Sequence, residues 1–279
     1  MLKHRFATAL LALPILFYAL IFGGGTIVYL LFLGACLLCS YEFTKIFYPV
    51  LLSGLVREKY IKMVSFRFLS LSIIVSACAF VSFNYFSKHL PSFILLFSFA
   101  VIALLFFIEK SPRLIVVNAL FLSIILIYIV LPWIIIWNLY DFANGPKYIL
   151  LLLITIMLSD TGAYFAGTYL GKHKLAPSFS PNKTWEGAIG GVLCGVLGTV
   201  LVSSYYEIFN QNRYLVFACG VGVSVLGIYG DLFESALKRF SGVKDSGGLL
   251  PGHGGLLDRV DAIIFAAPLL YILISSGYH

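Results

Sequence analysis

The chain has 279 residues, of which 61% are hydrophobic and 11% charged, and its mean hydropathy is +0.99. Soluble domains carry about a quarter charged residues, so most of this chain belongs in lipid, and spans of roughly 20 apolar residues leave no room in it for a separate soluble domain. The net charge of +7 comes from basic residues scattered between apolar runs, which argues against a nucleic-acid surface and reads as a topology signal.

Apolar runs broken by charged or Gly/Pro-rich segments predict nine spans, at residues 6–22, 26–47, 68–86, 91–108, 114–137, 148–170, 187–206, 214–240 and 260–278. Only Gly23, Gly24 and Gly25 separate the first two, and Asn144, Gly145 and Pro146 separate the fifth and sixth. Lys3, His4 and Arg5 ahead of the first run would suit a signal peptide, but Pro14 and the immediate second span give no clean small-residue cleavage site, so an uncleaved helix is expected. A cytosolic N-terminus leaves only Lys88, Lys147 and Arg213 of the 19 Lys and Arg on the far side, and an odd number of spans then turns His279 outward. The expected fold is an all-α, polytopic membrane helix bundle. Residues 1–140 read as scaffold and 141–279 as the catalytic region of one integrated membrane domain. The five cysteines, Cys36, Cys39, Cys78, Cys194 and Cys219, sit in apolar runs without a metal-ligand spacing, and read as small buried residues rather than as a disulfide or redox framework.

Eight of the 12 acidic residues lie at or after Asp160. Glu42 is the exception in the first half, late in the second span, where a carboxylate is costly. It reads equally as a functional group or as an interfacial partner of Lys45 or another basic residue.

Two segments carry chemistry. In the first, residues 231–261, Asp231, Glu234, Ser235 and Lys238 fall at i, i+3, i+4 and i+7 and share one helical face. Six glycines follow (242, 247, 248, 252, 254, 255), interleaved with Lys244 and His253, and then Asp258, Arg259 and Asp261 open the last span. Such a loop can wrap phosphates, and carboxylates on the flanking helices suit a hard divalent cation that takes one or two of them with phosphate oxygens and water. The alternative is a re-entrant loop whose ion pairs only fix helix packing. It leaves the glycines and His253 without a reason.

In the second segment, Asp160, Ala163, Tyr164 and Gly167 share a face of the sixth span, where small residues permit close packing and Asp160 turns toward protein. A membrane-embedded Asp would also fit a proton relay. Lys172, His173, Lys174 and Lys183 suit anionic headgroups or nucleotide phosphates, with Ser180 and Thr184 offering hydroxyls near the next helix. Pro177, Phe179, Pro181 and Trp185 suggest an ordered loop.

The spacing Ser235-x-x-Lys238-Arg239, four residues, Lys244-Asp245, five residues, Pro251-x-His253-Gly254-Gly255-x-x-Asp258-Arg259-x-Asp261 resembles the signature of the phosphatidate cytidylyltransferase (CDP-diacylglycerol synthase) family. Gly230-Asp231-Leu-Phe-Glu234-Ser235, Asp160-Thr-Gly-Ala-Tyr164, Gly171-Lys-His-Lys-Leu-Ala-Pro177 and Ser180-Pro-x-Lys-Thr-x-Glu-Gly187 are similar to further family motifs. The resemblance covers residues 159–262, with Thr168 standing where many relatives carry a basic residue.

It implies condensation of CTP with phosphatidic acid to CDP-diacylglycerol and pyrophosphate. Asp231 and Asp258 are assigned to Mg²⁺, with Asp261 as a further ligand or an orienter and a second cation left open. Lys238, Arg239, Lys244 and Arg259 are the phosphate-holding candidates. Asp160, Lys172, His173, Lys183, Thr184, Ser235, Gly254 and Gly255 complete the expected binding surface, with Asp245 orienting Lys244 or the loop. His253 either donates to the leaving pyrophosphate or orders the loop. The compact, loop-poor chain fits a bacterial inner membrane, with an organelle membrane as the alternative, and a site facing the cytosol lets CTP arrive from water while the lipid tails stay in the leaflet; a homodimer is admitted by the resemblance alone. Two rivals stand beside it. A CTP-dependent transferase on another membrane lipid would share the phosphate site. An ion-coupled secondary transporter would use intramembrane carboxylates, but the two halves differ sharply in charge and show no matching Gly/Pro interruptions.

Overall fold

The computed structural model describes residues 18–20, 22–53, 55, 58–85, 90–109, 111–247 and 254–276. Helices occupy every expected span position within them. Six are long and apolar enough to cross a membrane: Gly24–Leu52, Tyr60–Ser82, Pro112–Asp141, Gly145–Leu170, Trp185–Tyr206 and Arg213–Phe240. The first expected span, 6–22, lies almost wholly outside the described residues. The chain is an all-α, multi-pass membrane protein, as lipid requires of apolar segments that must satisfy their own backbone.

The helices form two compact units, one of Met1–Ile134 with Asp245–Leu257 and one of Ile135–Lys244 with Asp258–His279. The first contains α1 (Gly24–Leu52), α2 (Glu58–Tyr85), α3 (Leu90–Ile108) and α4 (Pro112–Ile125). Its core is aromatic. Phe43 meets Phe47, Phe121 and Tyr128, and the Tyr48 ring stacks on Phe68 with centroids 3.9 Å apart. Several of the polar groups buried among these rings find partners. Thr44 and Ser72 hydroxyls lie 3.0 Å apart, the Tyr48 hydroxyl donates to the Asn118 side-chain carbonyl, and the Asn118 amide donates to Glu109 at 3.1 Å. Cys36 and Cys39 are buried in α1, as small core residues.

The expected span 114–137 is not one uniform helix. A π-helical turn, Leu126–Val130, joins α4 to α5 (Leu131–Asp141). Pro132 has no N–H to offer the Tyr128 carbonyl and its ring crowds that oxygen, so a wider turn relieves the clash.

The second unit holds α6 (Gly145–Leu170), a hairpin of β1 (Lys174–Ala176) and β2 (Ser180–Thr184), α7 (Trp185–Tyr206), α8 (Arg213–Phe240) and, after its first residue, α9 (Leu257–Ser275). The antiparallel hairpin pairs Lys174 with Thr184 and Ala176 with Ser180. It is the ordered loop expected between the sixth and seventh spans, in a form too short for any alternation to announce.

Glycines bring the helices of this unit together. A Cβ at Gly187 would stand 2.9 Å from the Ala163 carbonyl oxygen, one at Gly191 2.9 Å from that of Ser159, and one at Gly195 3.3 Å from the Ser159 Cβ. Gly187 and Gly191 thus let the backbone of α6 rest on α7, and Gly195, four residues on, makes room for Ser159 and for Ser224 of α8, the arrangement that van der Waals packing favours in lipid. Gly230 does the same for α8, since a Cβ there would lie 2.5 Å from the Asp261 carbonyl oxygen on α9. The helix ends are also specified. The Asn212 side chain accepts from the amides of Tyr214 and Leu215 at the start of α8, and Gly242, at φ +70°, ends it with the amides of Gly242 and Val243 donating back to Arg239 and Lys238.

The close approach of α6 and α7 predicts that Gly191→Ile, an overpacking change in a filled contact, lowers stability by about 1–3 kcal/mol. Thermal unfolding of the purified protein in detergent measures it, and Ile189→Leu on the lipid-facing side of α7 should leave the midpoint unchanged.

Candidate active site

Polar groups in the second unit collect where its glycines bring the backbones together. A cavity of about 560 Å³ is lined by Asp160, Ala163, Tyr164, Gly167 and Thr168 from α6, Leu175, Asn182, Lys183 and Thr184 from the hairpin, Gly187 and Ala188 from α7, and Ile228 and Asp231 from α8. All four members of the expected α6 face are in this wall. Thr168 lines it as well.

Across the cavity the Lys183 ammonium meets the Asp231 carboxylate at 2.6 Å, and the other Asp231 oxygen accepts from Ser235 at 3.3 Å. One turn on, Lys238 is held between Glu234 at 2.9 Å and Asp258 at 2.6 Å. The stripe of Asp231, Glu234, Ser235 and Lys238 therefore faces one way, and it continues onto α9 through Asp258. Glu234 is 1% exposed and Lys238 14%, so removing the lysine would strand two carboxylates at a cost of about 3–5 kcal/mol. Asp261, 7% exposed, accepts from the Ala262 amide at 2.8 Å and interacts electrostatically with Asp231 and Glu234. Asp160 interacts with Asp231 and Lys183 in the same way.

Each expected residue but His253 has a place among the described residues. Asp160, Lys183, Thr184 and Asp231 line the cavity, while Ser235, Lys238, Asp258 and Asp261 continue from it along α8 and α9. Thr184 is also the cap of α7, accepting from the Gly187 amide at 3.1 Å. Arg239 donates to the Phe179 carbonyl in the hairpin turn at 3.4 Å. Lys172, His173, Lys244 and Arg259 are exposed in this unit, and Asp245, also exposed, belongs with Gly254 and Gly255 to the first. His253 lies outside the described residues.

Three residues absent from the expected binding set matter to this geometry. Asn182 lines the cavity beside Lys183. Glu234 balances Lys238. Glu186, in the first turn of α7, accepts from the backbone amides of Lys172 at 3.1 Å and His173 at 3.2 Å and meets the His173 ring at 2.6 Å. It pins the chain leaving α6 to the start of α7. The spacing Thr184-x-Glu186-Gly187 carried that signal as a capped helix start with an acidic first turn.

Among the described residues no three His, Cys, Asp or Glu side chains stand close enough together to enclose a metal ion. That arrangement still fits magnesium, which takes one or two protein carboxylates and completes its shell with phosphate oxygens and water. A calcium- or zinc-type cage would need more protein ligands.

The model of the cytidylyltransferase family matches residues 3–276 of the chain. The phosphatidate cytidylyltransferases of Staphylococcus haemolyticus and Staphylococcus aureus are each 48% identical to it over 132 residues, and that of Staphylococcus epidermidis is 47% identical over 132. Each alignment takes in 47% of this chain and 50% of the relative, so the matched region spans about half the length of those curated proteins.

Because Glu186 holds the Lys172 and His173 amides, Glu186→Ala should release the segment between α6 and β1. Trypsin cleavage after Lys172 and Lys174, followed by mass spectrometry in detergent, is expected to accelerate about tenfold or more, while cleavage after Arg213 stays unchanged.

Proposed function

The chain belongs to the cytidylyltransferase family, and we propose that it condenses CTP with phosphatidic acid to give CDP-diacylglycerol and pyrophosphate. The observation that carries this reading is the cavity in which Lys183, Asp160 and Asp231 converge inside a membrane helix bundle. Cation and carboxylates together suit a metal-bound triphosphate, and the apolar surroundings suit an acceptor that never leaves the leaflet. The curated relatives' name supports the same substrate pair.

A phosphate oxygen of phosphatidic acid attacks the α-phosphorus of CTP, the new P–O bond forms as the α–β anhydride breaks, and pyrophosphate carries away the electron pair. The attacking oxygen is already anionic, so the protein's task is positioning and charge neutralisation. Lys183 and Lys238 serve as point charges for triphosphate or lipid phosphate. Their present carboxylate partners keep them placed. Arg239 and Arg259 offer forked donors. Asp231 and Asp258 would supply the one or two carboxylates that magnesium takes, with Asp261 orienting them, and Asp160 stands across the cavity, where it orients Lys183. Bound magnesium would neutralise phosphate oxygens as negative charge shifts to the leaving group. We place the site at the cytosolic face of the membrane, following the distribution of Lys and Arg, and the compact, loop-poor chain suits a bacterial inner membrane.

Purified protein supplied with labelled CTP, magnesium and phosphatidic acid should form CDP-diacylglycerol and pyrophosphate. Product with a different phospholipid or an isoprenoid acceptor, and none with phosphatidic acid, would contradict the acceptor assignment. Asp231→Asn and Asp258→Asn should each lower kcat by about 100-fold or more while the proteins still insert in the membrane. Near-normal turnover in either would remove that residue from the metal-binding set.

A further inference from the structure

Glu42, on α1, is 2% exposed. Its two carboxylate oxygens accept from consecutive backbone amides of the first unit, Leu256 at 3.0 Å and Leu257 at 2.9 Å, and Leu257 lies 215 residues away in sequence. Leu257 is the first residue of α9. A helix start leaves its first amides without partners inside the helix, and this one takes an acceptor from a distant carboxylate. The negative charge also complements the positive end of the helix dipole.

The loop is shaped to receive that side chain. A Cβ at Gly247 would lie 2.7 Å from one Glu42 carboxylate oxygen, and a Cβ at Gly255 2.6 Å from the other. Both glycines therefore admit Glu42, which gives them a role besides wrapping phosphate. A Cβ at Gly255 would also meet the Ser246 hydroxyl at 2.2 Å, so the two ends of the loop close on each other around the carboxylate.

We infer that Glu42 is a positioning residue for the reaction, fixing the residue at which α9 begins and thereby the direction in which Asp258 and Asp261 point. Asp258 follows Leu257 directly in the chain. Asp258 and Asp261 are the second and fifth residues of α9, so fraying of its first turn would free their side chains from the backbone that aims them. Glu42 touches no reacting atom in this account and acts only through α9.

The activity arm of the test rests on the proposed cytidylyl transfer, and the exchange arm does not. Wild type, Glu42→Gln and Glu42→Ala are reconstituted in nanodiscs. Hydrogen–deuterium exchange is followed on peptides ending at residues 254–258, together with kcat and KM for CTP. The amides of Leu256 and Leu257 should be protected in wild type and exchange at least about tenfold faster in Glu42→Ala. The kcat should fall in the order wild type, Gln, Ala, by about 10–100-fold for Ala, with KM for CTP within about twofold, because Gln keeps one carbonyl acceptor. Fast exchange of these amides in wild type would overturn the clamp even if no variant folds. Full kcat in Glu42→Ala, or a lost kcat with unchanged exchange, would overturn its positioning role. If wild type forms no product from phosphatidic acid, the proposed reaction fails and the exchange comparison alone decides the clamp.

Discussion

A carboxylate inside an apolar helix bundle has no water to neutralise it, and in this protein the acidic residues of α8 and α9 meet that constraint with lysines. Lys238 sits between Glu234 and Asp258, and Lys183 reaches from the hairpin to Asp231. A buried pair of this kind is weak evidence for stability, because desolvation offsets much of the Coulomb attraction. What these contacts do is keep five polar side chains oriented where the proposed nucleotide would bind. The polar stripe of α8 is held ready at the cost of stability that an apolar stripe would supply.

The glycines make that arrangement possible. Gly187 and Gly191 let α7 lie on the backbone of α6, and Gly230 lets α8 lie against the backbone of Asp261. The residues of the cavity wall on α6, α7 and α8 lie within about two turns of such a contact. Side chains on closely packed helices have little freedom to move, which is the preorganisation that phosphate-transfer chemistry needs. Glu186 and Thr184 extend the same rigidity to the hairpin, by pinning its first strand and capping the helix that follows its second.

The sequence revealed what depends on local spacing. The face of Asp231, Glu234, Ser235 and Lys238 follows from helical periodicity, as does that of Asp160, Ala163, Tyr164 and Gly167, and both are found as expected. The sixth span was legible as the second wall of the cavity for the same reason. What could not be read was pairing across the chain. Nothing in the order of residues couples Lys183 to Asp231, or Glu42 to Leu257 over 215 positions. The hairpin was hidden because its strands are shorter than a period-2 signal needs. The π-helical turn was hidden because apolar residues fill it as they would an α-helix, and only Pro132 hinted at it. The glycines of α7 repeat every four residues and were legible in principle as a packing face.

The claim on which the rest turns is that the cavity between α6, the hairpin and α8 receives the nucleotide. A photoreactive CTP analogue cross-linked to the detergent-purified protein without lipid, and mapped by mass spectrometry, tests it directly. The account predicts label on residues 160–168, 182–188 or 228–231, removed by excess CTP and not by excess phosphatidic acid. Label that CTP displaces but that falls only on the helices of the first unit would contradict it.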